Sequence, residues 1–239
     1  MFNEGEGHAG SVYIKGDLAY LTDIEDGLEI IDVSNLHNPV KLGQFYNNSN
    51  VYNVYATSKN AFLCEIGQVE IIDITNKSNP KFQSALNLSG WVNSLTLKED
   101  LAYITTGEEG LVIVNVTEPT NPKVVSKLDY GGEPIGIQIE GNFAYIADYT
   151  NGFEVINISD PYNPVEIGQF DDDGAPLYLH VVENYAFVGD QLQGVEIIQI
   201  WESEQEKTTT SSEVGFLIMG ISPIILLVII HKRKTYSLN

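Results

Sequence analysis

Residues 102–122 carry the pattern that decides the fold: Ala102-Tyr103, then Gly110-Leu111-Val112-Ile113-Val114-Asn115-Val116, then Asn121-Pro122. Each piece recurs along the chain. The Ala-aromatic pair returns at Ala19-Tyr20, Ala61-Phe62, Ala144-Tyr145 and Ala186-Phe187, with successive spacings of 42, 41, 42 and 42 residues. Asn-Pro returns at Asn38-Pro39, Asn79-Pro80 and Asn163-Pro164. The glycine-opened apolar run returns at Gly27, Gly152 and Gly194, and repeat two places Gln68 where the others have glycine. Tandem units near forty residues, each built from short strand patterns, are the signature of a β-propeller. Each unit reads as four strands. The third, as in Leu28-Glu29-Ile30-Ile31-Asp32-Val33, is almost wholly apolar, as expected of a strand covered on both faces by stacked sheets. The expectation is an all-β propeller of five four-stranded repeats spanning residues 1–201. The fifth repeat is incomplete, because it runs to Trp201 without an Asn-Pro or a fourth strand.

The punctuation residues have local duties. Gly27, Gly110, Gly152 and Gly194 are expected to take a left-handed conformation at re-entry into the third strand. Asn-Pro forbids helix and directs the chain into the fourth strand. Ser34, Thr75, Thr117 and Ser159 follow the third strand, where their hydroxyls are expected to bond nearby backbone. A residue present in every unit is structural, since one site does not need five copies. The single cysteine, Cys64, excludes an intramolecular disulfide and reads as a small buried apolar residue.

Charge narrows the partners. The net charge is −21, and residues 1–201 hold eight lysines, no arginine and 29 acidic residues. So acidic a body repels nucleic acid, whose binding depends on Lys and Arg neutralising phosphates. It leaves cations, basic proteins and neutral glycans as partners, and it also keeps a surface domain dispersed.

Composition changes after the repeats. Residues 202–213 form a polar Ser/Thr/Glu linker, and residues 214–230 are uncharged and predominantly apolar. Seventeen helical residues span about 25 Å, enough for a thin bilayer. The basic tail, residues 231–239 beginning His231-Lys232-Arg233-Lys234, sets the topology: tail in the cytoplasm, repeats outside a cell membrane crossed once. Met1-Phe2-Asn3-Glu4-Gly5-Glu6 has neither a basic nor an apolar export region. With the missing fourth strand of repeat five, this leads to the expectation that the natural N-terminus lies upstream.

The run Gly110 to Val116 followed by Asn121-Pro122, and Gly27 to Val33 followed by Asn38-Pro39-Val40, resemble the LVIVD repeat. The resemblance covers about residues 10–200, and implies a bacterial or archaeal cell-surface propeller of loosely defined function. The linker, apolar segment and Lys-Arg-Lys are similar to C-terminal sorting signals of archaeal surface proteins.

Candidate sites gather at one end of the repeats. The last position of strand two holds Asp23, Glu65, Thr106, Asp148 and Asp190. The loops linking successive units add Trp91, Tyr130 and Tyr178. Acids with aromatics suit a glycan stacked on rings, a basic protein loop or a hard cation such as calcium. Asp171 and Asp173, in Asp171-Asp172-Asp173-Gly174, are the narrower calcium candidates, although no EF-hand spacing surrounds them. Asn47, Asn76 and Asn87 head glycosylation sequons and are expected in loops, whereas Asn115 and Asn157 head sequons at the ends of third strands. There is no nucleophile elbow, phosphate loop, dinucleotide fingerprint or zinc spacing. The sequence therefore points to a non-catalytic binding or adhesion module. A carbohydrate-active or calcium-dependent enzyme and an architectural envelope protein are the alternatives.

Overall fold

The computed structural model describes residues 8–23, 27–46, 49–171 and 173–200. The expected linker, apolar segment and basic tail lie outside them, as does Asn47. Among the described residues every regular element is a strand, and no helix is long and apolar enough to cross a membrane.

Among the described residues, eighteen strands follow one another in antiparallel meanders. The first unit is β1 (Ala9–Lys15), β2 (Leu18–Asp23), β3 (Gly27–Asp32) and β4 (Val40–Phe45). The second comprises β5 (Asn53–Ala56), β6 (Asn60–Cys64), β7 (Ile66–Asp73) and the first half of β8 (Lys81–Lys98). The second half of β8 begins the third unit, with β9 (Leu101–Thr106), β10 (Gly110–Asn115) and β11 (Lys123–Leu128). The fourth is β12 (Pro134–Glu140), β13 (Phe143–Asp148), β14 (Gly152–Asn157) and β15 (Val165–Phe170). The fifth is β16 (Pro176–Val182), β17 (Tyr185–Asp190) and β18 (Gly194–Gln199). Because β8 runs unbroken from the last strand of one unit into the first of the next, units two and three share a seven-stranded sheet, and the five repeats form four sheets.

The same seam is made four times. Tyr20, Leu28 and Ile30 of the first unit pack on Val54, Ala56, Leu63 and Ile72 of the second. Phe62, Val69 and Ile71 meet Leu95, Ala102, Ile104 and Val114 of the third. Tyr103, Leu111 and Ile113 meet Ala144, Ile146 and Ile156 of the fourth. Tyr145, Phe153 and Val155 meet Val181, Ala186, Val188 and Ile198 of the fifth. An aromatic from strand two and two apolar side chains from strand three thus pack on the aliphatic face of the following unit. This is why the third strand is apolar on both faces. First strands are laced as well: Asn53 donates to the Asn93 carbonyl (3.2 Å), Asn93 to that of Pro134 (2.8 Å) and Gln138 to that of Val181 (2.7 Å). At the other edge, Ser84 and Ser126 of the fourth strands donate to Pro119 and Pro161 in the following unit's Asn-Pro loop.

Local turn chemistry agrees in part with the sequence reading. Gly27, Gly110, Gly152 and Gly194 all have φ between 69° and 87°. Repeat two keeps the device one residue earlier, with Gly67 at φ 81°. Gln68 then has another use, donating to a Glu65 carboxylate oxygen at 2.7 Å. After the third strand, the acceptor is not the Ser/Thr hydroxyl but the side chain that ends the strand. Asp32, Asp73, Asn115 and Asn157 accept from the backbone N–H of Ser34, Thr75, Thr117 and Ser159 at 2.8–2.9 Å. A short acceptor two residues upstream reaches that N–H without distorting the chain, the usual Asx turn. Hydrogen bonds from the Ser34 and Thr75 hydroxyls, and then from their backbone N–H groups, hold the Asp32 and Asp73 carboxyls below their ordinary pKa. Cys64 is fully buried, and burial pushes its thiol up to about 12.

Candidate functional site

The end of strand two lies beside the start of strand one in every unit: Asp23 pairs with Ala9, Asp148 with Pro134 and Asp190 with Pro176. The unit-linking loops meet the strand-two turns here, and here the candidate residues separate into two kinds.

Asp148 and Asp190 act on the backbone. Asp148 Oδ1 accepts from the N–H groups of Glu133, Thr150 and Asn151, each at 2.9 Å, and from the Thr150 hydroxyl. Asp190 accepts from Ala175 with one oxygen and from Leu192 and Gln193 with the other. Each carboxylate pins the loop entering its unit to its own strand-two turn. Glu65 is buried and bonded to Gln68. Asp23 is half-buried at the end of β2. No periodicity argument distinguishes these duties from ligand binding, because both favour an acid at that turn.

Around Asp148 the structure gathers a buried acidic knot. Asp148 Oδ2, Glu154 Oε2 and the Tyr130 hydroxyl are buried without hydrogen-bond partners. Burial, followed by the neighbouring carboxylates of Asp148 and Glu166, pushes the Glu154 carboxyl up to about 8. Burial, and then Glu154 and Asp148, raise the Tyr130 phenol. The first unit shows what is missing. There the equivalent of Glu154 is Glu29, whose Oε1 accepts from the Lys41 ammonium at 2.8 Å. Glu166 stands where unit one has Lys41, so an ion pair becomes a pair of like charges. A carboxyl in that setting keeps its proton. Glu154 was not among the residues singled out from the sequence. The signal was present as an acid at the second position after a re-entry glycine, aligned with an acid instead of a lysine on the next strand.

The aromatics also divide. Tyr130 belongs to the knot. Trp91 is 51% exposed, and its ring centroid lies 4.9 Å from that of Tyr52 at 50°. Ile66, paired with Trp91 across the strands, is exposed too. Backbone bonds from Val92 to Glu65 and from Gly107 to Trp91 hold this aromatic shelf on the loop end. Tyr178 is exposed at a register shift opening β16.

Asp171 accepts from the Asp173 N–H at 2.9 Å, and Asp173 has φ 63°. Asp172 lies outside the described residues. Among the described residues no three His, Cys, Asp or Glu side chains are arranged to hold a metal ion. Of the sequon residues, Asn76 is exposed in its loop and accepts from Ser78. Asn87 is exposed too, but within β8 opposite Gln68, not in a loop. β8 bridges two units, so the expected loop there is strand. Asn115 and Asn157 end third strands as expected.

Together these observations define a tandem all-β repeat protein in which successive apolar meanders pack face to face. The model of the LVIVD repeat matches residues 6–46, 65–87, 89–129, 131–172 and 177–205, and the chain belongs to this family. No curated protein matches it. Among solved structures it is similar to a protein of unknown function from Desulfotomaculum acetoxidans DSM 771, with 16% identity and a TM-score of 0.69. That match covers 80% of this chain and 65% of the other. The computationally designed Ika8 protein matches at 9% identity and a TM-score of 0.65, over 80% of this chain and 58% of its own. The designed Ika4 protein matches at 10% identity and 0.54, over 64% and 92%. The chain thus spans about three fifths of the two longer structures, and the likeness is one of fold.

Proposed function

We propose that this chain is a propeller-type binding module in which five repeat units are set radially, and that it engages a protein or glycan outside the cell without transforming it. The observation that carries this reading is the shelf of Trp91 on Tyr52 beside Ile66. A half-exposed indole tilted against a second ring, with an exposed isoleucine alongside, is a surface that solvation does not explain. Flat aromatic faces take up sugar rings, and acids nearby favour lysine- or arginine-bearing loops. The acids themselves are largely committed to backbone or buried. The Asp148–Glu154 pair in particular has almost no solvent exposure, which argues against a glycosidase dyad.

The apolar segment 214–230 and the Lys-Arg-Lys that follows support anchoring by one membrane-spanning helix, with the repeats outside. Alkaline extraction of membranes tests this, since release of the chain into the soluble fraction would contradict an integral anchor. For binding, the full chain in mild detergent is screened against neutral glycans and basic peptides. Trp91→Ala is expected to weaken the positive ligand about tenfold or more, in line with loss of a central aromatic contact. Retained affinity in a folded Trp91→Ala variant would remove the shelf from the function. Turnover of any glycan would favour the enzyme alternative instead.

A further inference from the structure

The aromatic shelf has a charged flank. Glu108 is exposed in the turn between β9 and β10. Its side chain lies across the Cα of Gly90, where a methyl group would stand 2.7 Å from its Cγ and 3.1 Å from its carboxyl carbon. Gly90 has φ 72°, a conformation that suits glycine, and the absent side chain leaves the room that Glu108 fills. Trp91 follows Gly90 directly, and the N–H of Gly107 donates to the Trp91 carbonyl at 3.0 Å. Carboxylate and indole are therefore held side by side by two backbone segments bonded to each other. The neighbouring acids are already committed. Glu109 pairs with the Lys127 ammonium at 2.7 Å, and Glu65 is buried and bonded to Gln68. Among the described residues no ammonium group pairs with Glu108.

Taking the shelf as the binding surface, as above, we propose that its occupant is an arginine side chain of a protein or peptide partner, with the guanidinium over the Trp91 ring and its N–H edge on the Glu108 carboxylate. The chemistry favours this occupant over a neutral glycan. An indole face attracts a cation through its quadrupole. A planar guanidinium covers a ring while presenting parallel N–H donors to a carboxylate. A lysine ammonium is a compact point charge and makes the stacked contact poorly. Tyr52 and Ile66, beside Trp91, offer apolar surface for the methylene stem of the arginine. A net charge of −21 draws a cationic partner towards the surface and gives a neutral sugar no such help.

The test is an NMR titration of the full chain in mild detergent, read at the Trp91 indole N–H. That signal is assigned by its loss in Trp91→Phe, Trp201 being the second indole. Three short peptides are compared, otherwise uncharged and identical, with arginine, lysine or citrulline at the centre. The arginine peptide is expected to shift the signal saturably, with an affinity that falls as salt is added. Lysine in its place is expected to bind about two- to fivefold more weakly, and citrulline, which keeps the shape and loses the charge, about fivefold or more. Glu108→Gln is expected to weaken the arginine peptide about two- to fivefold and to leave the citrulline peptide unchanged. Glu108 is exposed, so this variant should melt near the parent. Equal binding of the arginine and citrulline peptides, or an arginine affinity unchanged by Glu108→Gln, would overturn the arginine assignment and leave the shelf as a binding surface. So would a neutral glycan that shifts the indole where the arginine peptide at millimolar concentration and low salt does not. Arginine-peptide binding retained in full by Trp91→Ala, followed at the Gly107 amide, would overturn the shelf and its occupant together.

Discussion

Replacing Glu154 with glutamine should make the protein more stable in mild alkali and barely change it in mild acid. The wild-type carboxyl is raised to about 8, from an ordinary value near 4.5. Below the lower value both folded and unfolded chains hold the proton, and the group contributes no pH dependence. Between the two values the unfolded chain ionises while the fold keeps its proton, so stability falls as pH rises. Above the upper value both are ionised, and the fold carries the full cost of a buried charge. At about 1.36 kcal/mol per pKa unit, the window corresponds to roughly 5 kcal/mol. Relaxation around neighbouring carboxylates reduces this, and about 2–3 kcal/mol is the expected gain for Glu154→Gln at pH 8.5. For an array of this size that is a melting shift of roughly 5–10 °C. Glu166→Lys should recover part of the same gain by restoring the ion pair seen between Glu29 and Lys41. The assay is urea or thermal unfolding from pH 4.5 to 9, read as the difference between variant and parent. Self-repulsion from a net charge of −21 tilts both curves, and the difference removes that shared slope. Parallel profiles for Glu154→Gln and wild type would refute the reasoning, because they would mean that Glu154 ionises as freely in the fold as in the unfolded chain.

Phe62→Ala empties a buried seam position and should cost about 3–5 kcal/mol, read as a lower urea midpoint with unchanged slope. Gly152→Ala should be more damaging than a surface glycine change, because φ is 87° and the new methyl would collide with the Phe170 carbonyl; a loss under about 1 kcal/mol would contradict it. Asp190→Ala leaves the N–H groups of Ala175, Leu192 and Gln193 without their acceptor and should cost about 2–4 kcal/mol, with faster amide exchange at those three residues.

What the sequence revealed and what it concealed divide along the repeat. The Ala-aromatic pair, the glycine-opened run and Asn-Pro are local, recurrent and dictated by backbone geometry, so strand order and turn positions were readable from spacing alone. Gln68 read as a defect because the glycine had moved one residue earlier to Gly67, and a fixed alignment column hides such a shift. The continuity of β8 was hidden for the opposite reason. Residues 86–92 hold Gly90, whose φ of 72° suggests a break, yet the strand carries on through a register shift opposite Ile66. The acidic knot was out of reach because a carboxylate's state depends on its partner across the sheet. Glu29 and Glu154 look alike in sequence, and only Lys41 against Glu166 separates them.

The array therefore separates two kinds of position. Where all units agree, the residue serves the seam or the turn, and substitution is felt as lost stability. Where one unit departs, the departure itself is informative. Trp91 stands alone at a position held by Glu133 and Ala175 in the following units, and its ring is half-exposed. Glu166 stands where units one to three hold Lys41, Phe82 and Val124, and it leaves a buried acid without a counter-charge. A seam repeated four times already supplies rigidity, so such departures are tolerated without loss of the fold. Specificity in a repeat protein of this kind is thus expected at its exceptions, not at its signature residues.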